Sequence, residues 1–234
     1  IAEKNKGLSG QGDYNDVMVA HDKLVGQMLD QLDQLKIADN TIVFYSTDNG
    51  VHFNPWPDAG VTPFRSEKNT NWEGAYRVPA MVRWPGVIPA GAVYDQPVIQ
   101  LDILPTALAA AAVAPQPDWK VEGVNLLPHL QGKEKTAPHQ ALHWRLGKQM
   151  AIRQGDWKLV KAGLNQPVQL FNLKEDRNEK DDLAAKQPER VKSLQALWDA
   201  WNAGNLPPRW EDPRWNDGNK KNDPEAAKKK AAKK

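Results

Sequence analysis

Asn40-Thr-Ile-Val-Phe-Tyr-Ser-Thr-Asp-Asn-Gly50 is the stretch whose reading decides the fold. Its middle, residues 41–46, is apolar without alternation, the pattern of a strand covered on both faces. Upstream, Val17, His21, Leu24, Met28, Leu32 and Leu35 recur at steps of three and four. That is the period of one helix face, so residues 14–35 are expected to form an amphipathic helix. On that stripe His21 is expected to be a packed core residue rather than a ligand. Asp39 and Asn40 make the turn between helix and strand. Helix, short turn and buried strand together indicate an α/β sheet.

Working outward, residues 50–71 carry prolines, glycines and aromatics with no sustained period. This reads as a long irregular loop, and loops of that length inside domains are more often functional than idle. Residues 78–84 read as a second strand closed by Pro85-Gly86, with Pro79 tolerable only near its start. Asp102 is placed to cap a helix running to about residue 113, with Pro105 in its first turn. Beyond Pro115 the character changes. Residues 141–145, 151–160 and 168–173 are expected to be short strands of a small antiparallel sheet, with Gly155-Asp156 and Gly163 at turns. A helix is predicted from about Pro188 to Trp201, with Val191, Leu194, Leu197, Trp198 and Trp201 on one face and Gly204 just past its end. The two tryptophans there belong to the helix core rather than to a stacking platform, since no basic groove accompanies them. The expected organisation is therefore an α/β portion over residues 1–115, a small α+β subdomain over 116–205, and a polar, Lys-rich, disordered tail over 206–234.

The formal charge of +2 comes from that tail. Its last sixteen residues hold seven of the 31 basic residues and two of the 29 acidic ones, which leaves 24 against 27 and a body of net −3. The basic pI is thus no argument for nucleic-acid binding. No apolar run approaches the roughly eighteen residues of a membrane span. With no cysteine in 234 residues, disulfides, thiolate metal sites and a cysteine nucleophile are excluded. The chain opens at Ile1 without a methionine or a signal-peptide pattern, so a truncated N-terminus is expected.

Asp48 and Asn49, directly after the strand, stand where open α/β sheets collect ligands. A carboxylate beside an amide oxygen offers two hard oxygen donors, suited to Ca²⁺ or Mg²⁺. The same Asn-Gly pair is also a hairpin-turn signal, although Pro55 and Pro57 interrupt the next segment. Lys68, within Glu67-Lys-Asn-Thr-Asn-Trp-Glu-Gly74, could neutralise a sulfate or phosphate oxygen as a point charge, or be a solvated surface lysine. His52 is near enough in sequence to touch a bound anion, or is a surface-loop histidine. His129, His139 and His143 show no metal-binding spacing.

The ordered run of Asn40 to Gly50, Pro63-Phe-Arg-Ser-Glu-Lys-Asn-Thr-Asn-Trp-Glu-Gly74, Arg77-Val-Pro79, Trp84-Pro-Gly86 and Asp102-Ile-Leu-Pro-Thr106 resembles the bacterial arylsulfatase family. Later, Leu170-Phe-Asn-Leu173, Glu175-Asp176, Asp182-Leu-Ala184 and Pro188 resemble its C-terminal subdomain. The resemblance implies the C-terminal part of an alkaline-phosphatase-like sulfatase sheet with flanking helices, followed by a small antiparallel sheet and a C-terminal helix. It implies calcium, held in part by Asp48 and Asn49, with Mg²⁺ the lesser choice. It places sulfate binding and a catalytic role on Lys68, while His52 stays a substrate-binding candidate from its place after the Asp-Asn pair alone. It also implies hydrolysis of a small-molecule or carbohydrate sulfate ester in a periplasmic or secreted protein.

The family's nucleophile is a formylglycine made in a Cys/Ser-X-Pro-X-Arg motif. None of Ser9, Ser46, Ser66 or Ser193 stands in such a motif, so the nucleophile is expected upstream and the isolated chain is expected to be inactive. Two alternatives stay open. One is a phosphate or phosphonate monoester hydrolase of the same superfamily, and the other is a non-catalytic binding module on the same fold.

Overall fold

The computed structural model describes residues 1–208. The tail expected over 206–234 lies, from residue 209 on, outside the described residues. Contacts group the chain into two compact units. One comprises Ile1–Thr47, Asn54–Gly60 and Pro79–Gln140; the other comprises Asp48–Phe53, Val61–Val78 and the chain from Ala141 onward.

In the first unit the predicted amphipathic helix is α1 (Asp13–Gln34). The Asp16 carboxylate pins the preceding loop to it, accepting hydrogen bonds from the Gly7 N–H (2.6 Å) and from both the N–H (2.7 Å) and hydroxyl (2.6 Å) of Ser9. These donors, the Ser9 hydroxyl foremost, hold the Asp16 carboxyl below its ordinary range. The apolar stripe of α1 is present but uncovered, with Val17, Leu24, Met28 and Leu35 between 45% and 70% exposed. His21 on that stripe is likewise no core residue: it is exposed, and its Nε2 shares a 2.9 Å hydrogen bond with the Tyr45 hydroxyl. An imidazole that keeps water on one side and a hydroxyl on the other has no desolvation to offset.

β1 (Val43–Ser46) pairs antiparallel with β2 (Ala80–Arg83), setting Val43 opposite Arg83 and Ser46 opposite Ala80. β1 is not covered on both faces, contrary to the reading of its apolar run, for its first three residues are half-buried and Ser46 is exposed. An apolar run alone does not separate these cases, because Tyr45 keeps its hydroxyl hydrogen-bonded at the surface.

Asp102 does not cap the next helix, α2 (Ile103–Ala110). It lies in a 3₁₀ turn, Gln100–Asp102, with helical backbone (φ −73°, ψ −16°) instead of the extended backbone a side-chain cap uses. Its buried carboxylate ties distant chain together, accepting from the N–H groups of Ile99 and Val124 (both 2.9 Å), with His139 Nε2 at 2.8 Å.

The second unit is built on four strands, β3 (Leu142–Leu146), β4 (Gln149–Gln154), β5 (Trp157–Lys161) and β6 (Val168–Asn172), paired antiparallel in sequence order. β4 and β5 divide the stretch 151–160 at Gly155, whose φ of +57° favours glycine. Consecutive strand residues serve opposite faces. Ile152, Leu159 and Leu170 join Met150 and Leu194 of the C-terminal helix α3 (Pro188–Ala203), while Ala151, Val160 and Phe171 join Trp72 and Leu173. Both faces are therefore buried, which is why the strands read as apolar runs. Leu197, expected on the covered face of α3, is 39% exposed, whereas Leu194 is fully buried.

Candidate active site

All four residues singled out by the sequence, Asp48, Asn49, His52 and Lys68, fall in the second unit, on two segments laced together by their backbones. The Gly50 N–H donates to the Ala75 carbonyl (2.7 Å) and the Lys68 N–H to the Val51 carbonyl (2.9 Å). The Phe53 N–H donates to the Glu67 carboxylate (2.7 Å), and the Gly74 N–H closes the neck of the lysine loop onto the Arg65 carbonyl (2.8 Å).

The two motif glycines make this approach possible. A Cβ on Gly50 would stand 1.9 Å from the Gly74 carbonyl oxygen, and one on Gly74 would stand 2.4 Å from the carbonyl oxygens of Arg65 and of Ser66. Gly50 has no left-handed φ, so what it supplies is space. The Asn-Gly pair is thus a close backbone crossing and not the turn of a hairpin.

The structure brings the backbone of Lys68 to Val51, three residues from Asp48 and one from His52. Lys68 itself is half-buried, between Ser66 and Asn69, whose φ values of +64° and +70° lie in the left-handed region. Asp48 is exposed. The Asn49 amide N–H donates to the Gly50 carbonyl (2.8 Å), which leaves its oxygen as the atom for a hard cation. The His52 ring lies against Phe53 with centroids 4.7 Å apart.

As a calcium site the pair is chemically apt but incomplete. Ca²⁺ takes six to eight oxygens, and among the described residues no three His, Cys, Asp or Glu side chains gather as a metal-holding group. Asp48 and Asn49 can furnish only part of a coordination shell.

Behind the loop lies a charged cluster that the sequence reading missed. Glu73 opens a single helical turn (Glu73–Tyr76) and is buried. The Lys158 ammonium on β5, fully buried, sits 2.9 Å from Glu73 Oε1 and 2.7 Å from Glu179 Oε1. The other Glu179 oxygen accepts the Glu73 N–H at 2.8 Å. Arg153 (3.6 Å) and Arg77 (3.7 Å) approach the second oxygen of Glu73. Burial pushes the Glu73 carboxyl up, but Lys158 and the two guanidinium groups outweigh it and hold it below the usual carboxylate range. For Glu179 burial prevails and the carboxyl is raised. Tyr76, stacked on Trp144 with ring centroids 4.5 Å apart, has its hydroxyl pushed well above its usual value by burial first and by the two carboxylates next. The available signal was Lys158 itself, a lone cation in the apolar run Trp157-Lys-Leu-Val160; Glu179, in a polar loop, gave none.

The Sulfatase family model matches residues 6–113, and the model described as N-sulphoglucosamine sulphohydrolase, C-terminal, matches residues 66–200. Steryl-sulfatase of Homo sapiens is 37% identical over 143 residues, 58% of this chain and 24% of its own length. N-acetylgalactosamine-6-sulfatase of Homo sapiens is 37% identical over 155 residues, 65% of this chain and 29% of its own. The chain thus spans about a quarter of the length of these curated relatives. The crystal structure of Ps i-CgsB in complex with k-i-k-neocarrahexaose matches at a TM-score of 0.75 and 28% identity, covering 84% of this chain and 44% of that one. PsFucS1 sulfatase from Pseudoalteromonas sp. matches at a TM-score of 0.76 and 24% identity, covering 86% and 45%. The mixed α/β fold, with its four-stranded antiparallel sheet, is that of sulfatases of the alkaline-phosphatase-like fold. With one family model covering the Asp48 to Phe53 segment, the other covering the C-terminal sheet, and both covering the lysine loop, the chain belongs to the sulfatase family.

Proposed function

We propose that the protein carrying this chain hydrolyses sulfate monoesters, of carbohydrates by preference, to an alcohol and sulfate. The observation that carries the reading is the lacing of the Asp48 to Phe53 segment to the Lys68 loop through two glycines too crowded for any other residue. Such a crossing gathers an acid-amide pair, an imidazole and an ammonium on neighbouring backbone, an arrangement suited to an anionic ester. In this reading Lys68 binds the sulfate group and offsets charge that develops on its oxygens, and His52 contacts the substrate. Asp48 and Asn49 contribute oxygens to a calcium site, and bound calcium would supply a further fixed positive charge beside the sulfate group. The formylglycine nucleophile has no source in these 234 residues, so this chain alone is expected to turn over nothing.

The carbohydrate preference follows the name of one relative, N-acetylgalactosamine-6-sulfatase, and the oligosaccharide in the Ps i-CgsB complex, while the name steryl-sulfatase points to a sterol ester instead. A periplasmic or secreted location accords with the family; among the described residues no helix is long and apolar enough to cross a membrane.

The test is a comparison of the whole protein with its Asp48→Ala and Lys68→Ala variants on an aryl sulfate. Asp48→Ala should remove most activity together with calcium binding, and Lys68→Ala should lower kcat/KM by about a hundredfold, the scale of one lost oxyanion contact. Rates like those of the unaltered protein from either variant would reject the role given to that residue. Parallel assays on the matching phosphate and phosphonate monoesters separate this reading from phosphoryl chemistry.

A further inference from the structure

The lysine loop is fastened at both ends to one residue more than a hundred positions away. At its start, the Arg65 guanidinium donates to the Glu179 carbonyl at 2.6 Å and lies 3.6 Å from the centre of the Trp72 ring. At its end, the Glu73 N–H donates to the Glu179 carboxylate at 2.8 Å, and the Glu73 carboxylate meets the same Lys158 ammonium as Glu179 does. Lys68 sits between these anchors, three residues from one and five from the other. Glu179 has a left-handed backbone at φ +55°, as do Ser66 and Asn69. Non-glycine residues hold such conformations only where the surroundings over-determine them.

Cohesion alone does not account for this arrangement. Burying an ammonium and two carboxylates is costly, and well-packed apolar side chains of the same volume often serve stability as well or better. What charges add is direction: each hydrogen bond fixes where its partner stands. Here the direction is imposed by β5, an inner strand of the small sheet, on the loop that carries the candidate sulfate ligand.

We propose that Lys158 and Glu179 are positioning residues for Lys68, acting through Glu73 and Arg65, so that the C-terminal sheet is part of the machinery that sets the sulfate-binding lysine. Its functional half rests on the sulfatase reading, which gives Lys68 its role. Its structural half does not.

Hydrogen exchange on the chain tests the structural half. In Glu179→Gln the amides of Lys68, Glu73 and Gly74 should exchange about tenfold faster or more, while those of Ile152, Leu159 and Leu170 keep their protection. Unchanged loop amides, or sheet amides that speed up in step with them, would overturn the proposal. Should Glu179→Gln not fold, the triple variant Lys158→Met/Glu73→Gln/Glu179→Gln, which removes the charges together, is read in the same way.

Kinetics in the whole protein test the functional half. Glu179→Gln should lower kcat/KM on an aryl sulfate by about 10- to 100-fold, as expected of a misplaced binding group, yet cost no more than about 2-fold when Lys68 is already alanine. An equal loss in both backgrounds would show a merely structural role. No turnover by the unaltered protein would remove the sulfatase reading, while hydrogen exchange would still decide whether the cluster holds the loop.

Discussion

Replacing Gly50 by alanine would set a methyl carbon 1.9 Å from the Gly74 carbonyl oxygen and 2.9 Å from the Ala75 carbonyl carbon. Both neighbours are backbone, so no side chain can swing aside and the two segments must separate. Overpacking of this kind costs roughly 1–3 kcal/mol. Separation also stretches the 2.7 Å hydrogen bond from the Gly50 N–H to the Ala75 carbonyl, whose loss adds about 1 kcal/mol. The expected destabilisation is about 3 kcal/mol, or a fall in Tm of roughly 10 °C for a chain of this size. Urea unfolding of Gly50→Ala beside the unaltered chain measures it. Gly26→Ala is the internal control: Gly26 lies inside α1, and a Cβ there meets nothing within 4 Å. That change should stabilise by about 0.5–1 kcal/mol through helix propensity alone. A Gly50→Ala variant within about 0.5 kcal/mol of the original, the range of an ordinary surface substitution, would refute the crowding argument.

Leu194→Ala removes the one fully buried leucine of α3 from its contacts with Met150, Ile152, Leu159 and Leu170, and should cost about 2–5 kcal/mol in chemical denaturation. Asp102→Ala strips the acceptor from two backbone N–H groups and from His139, and should cost about 2–4 kcal/mol in the same measurement, with Asp102→Asn restoring part of it. His143, stacked on Trp201 at 5.1 Å between centroids, is held below its ordinary value of 6.5 by burial. The folded state therefore resists protonation more than the unfolded one, so this contribution is complete above pH 6.5 and is lost as pH falls through the lower folded value. His143→Phe, which keeps the stacking, should flatten that part of a stability-against-pH curve.

Elements whose signal is local were legible in the sequence. The three- and four-residue steps of α1 and α3, the apolar runs of β3 to β6 and the punctuation at Gly155 each report a conformation set within a few residues. What sequence could not decide was what covers an apolar surface. Val17, Leu24 and Met28 mark a helix face equally well whether or not anything packs on it, and the run before Asp48 fits a strand buried on both faces or a half-buried antiparallel one. His21 and Asp102 were misread for a related reason. Each sat at a position with a common local role, stripe or cap, while its partner lay 24 residues away at Tyr45 or 22 and 37 away at Val124 and His139.

The candidate site divides along the same line. Asp48, Asn49, His52 and Lys68 were legible because hard oxygens and a cation on irregular loops carry their chemistry on their face. The glycines between them were legible as motif letters but not as a crossing, since only coordinates reveal that Gly50 faces Gly74. Glu73, Lys158 and Glu179 were invisible as a group, for they are separated by 85 and 106 residues along the chain. Yet a fully buried lysine within the run Trp157 to Val160 is improbable unless paired, and its burial is costly unless its charge is offset. A cation buried inside the otherwise apolar run Trp157 to Val160 is therefore a long-range constraint written in one letter. It says that an acid must arrive from elsewhere, and here the acids arrive from the loop that holds Lys68 and from the turn that fastens it.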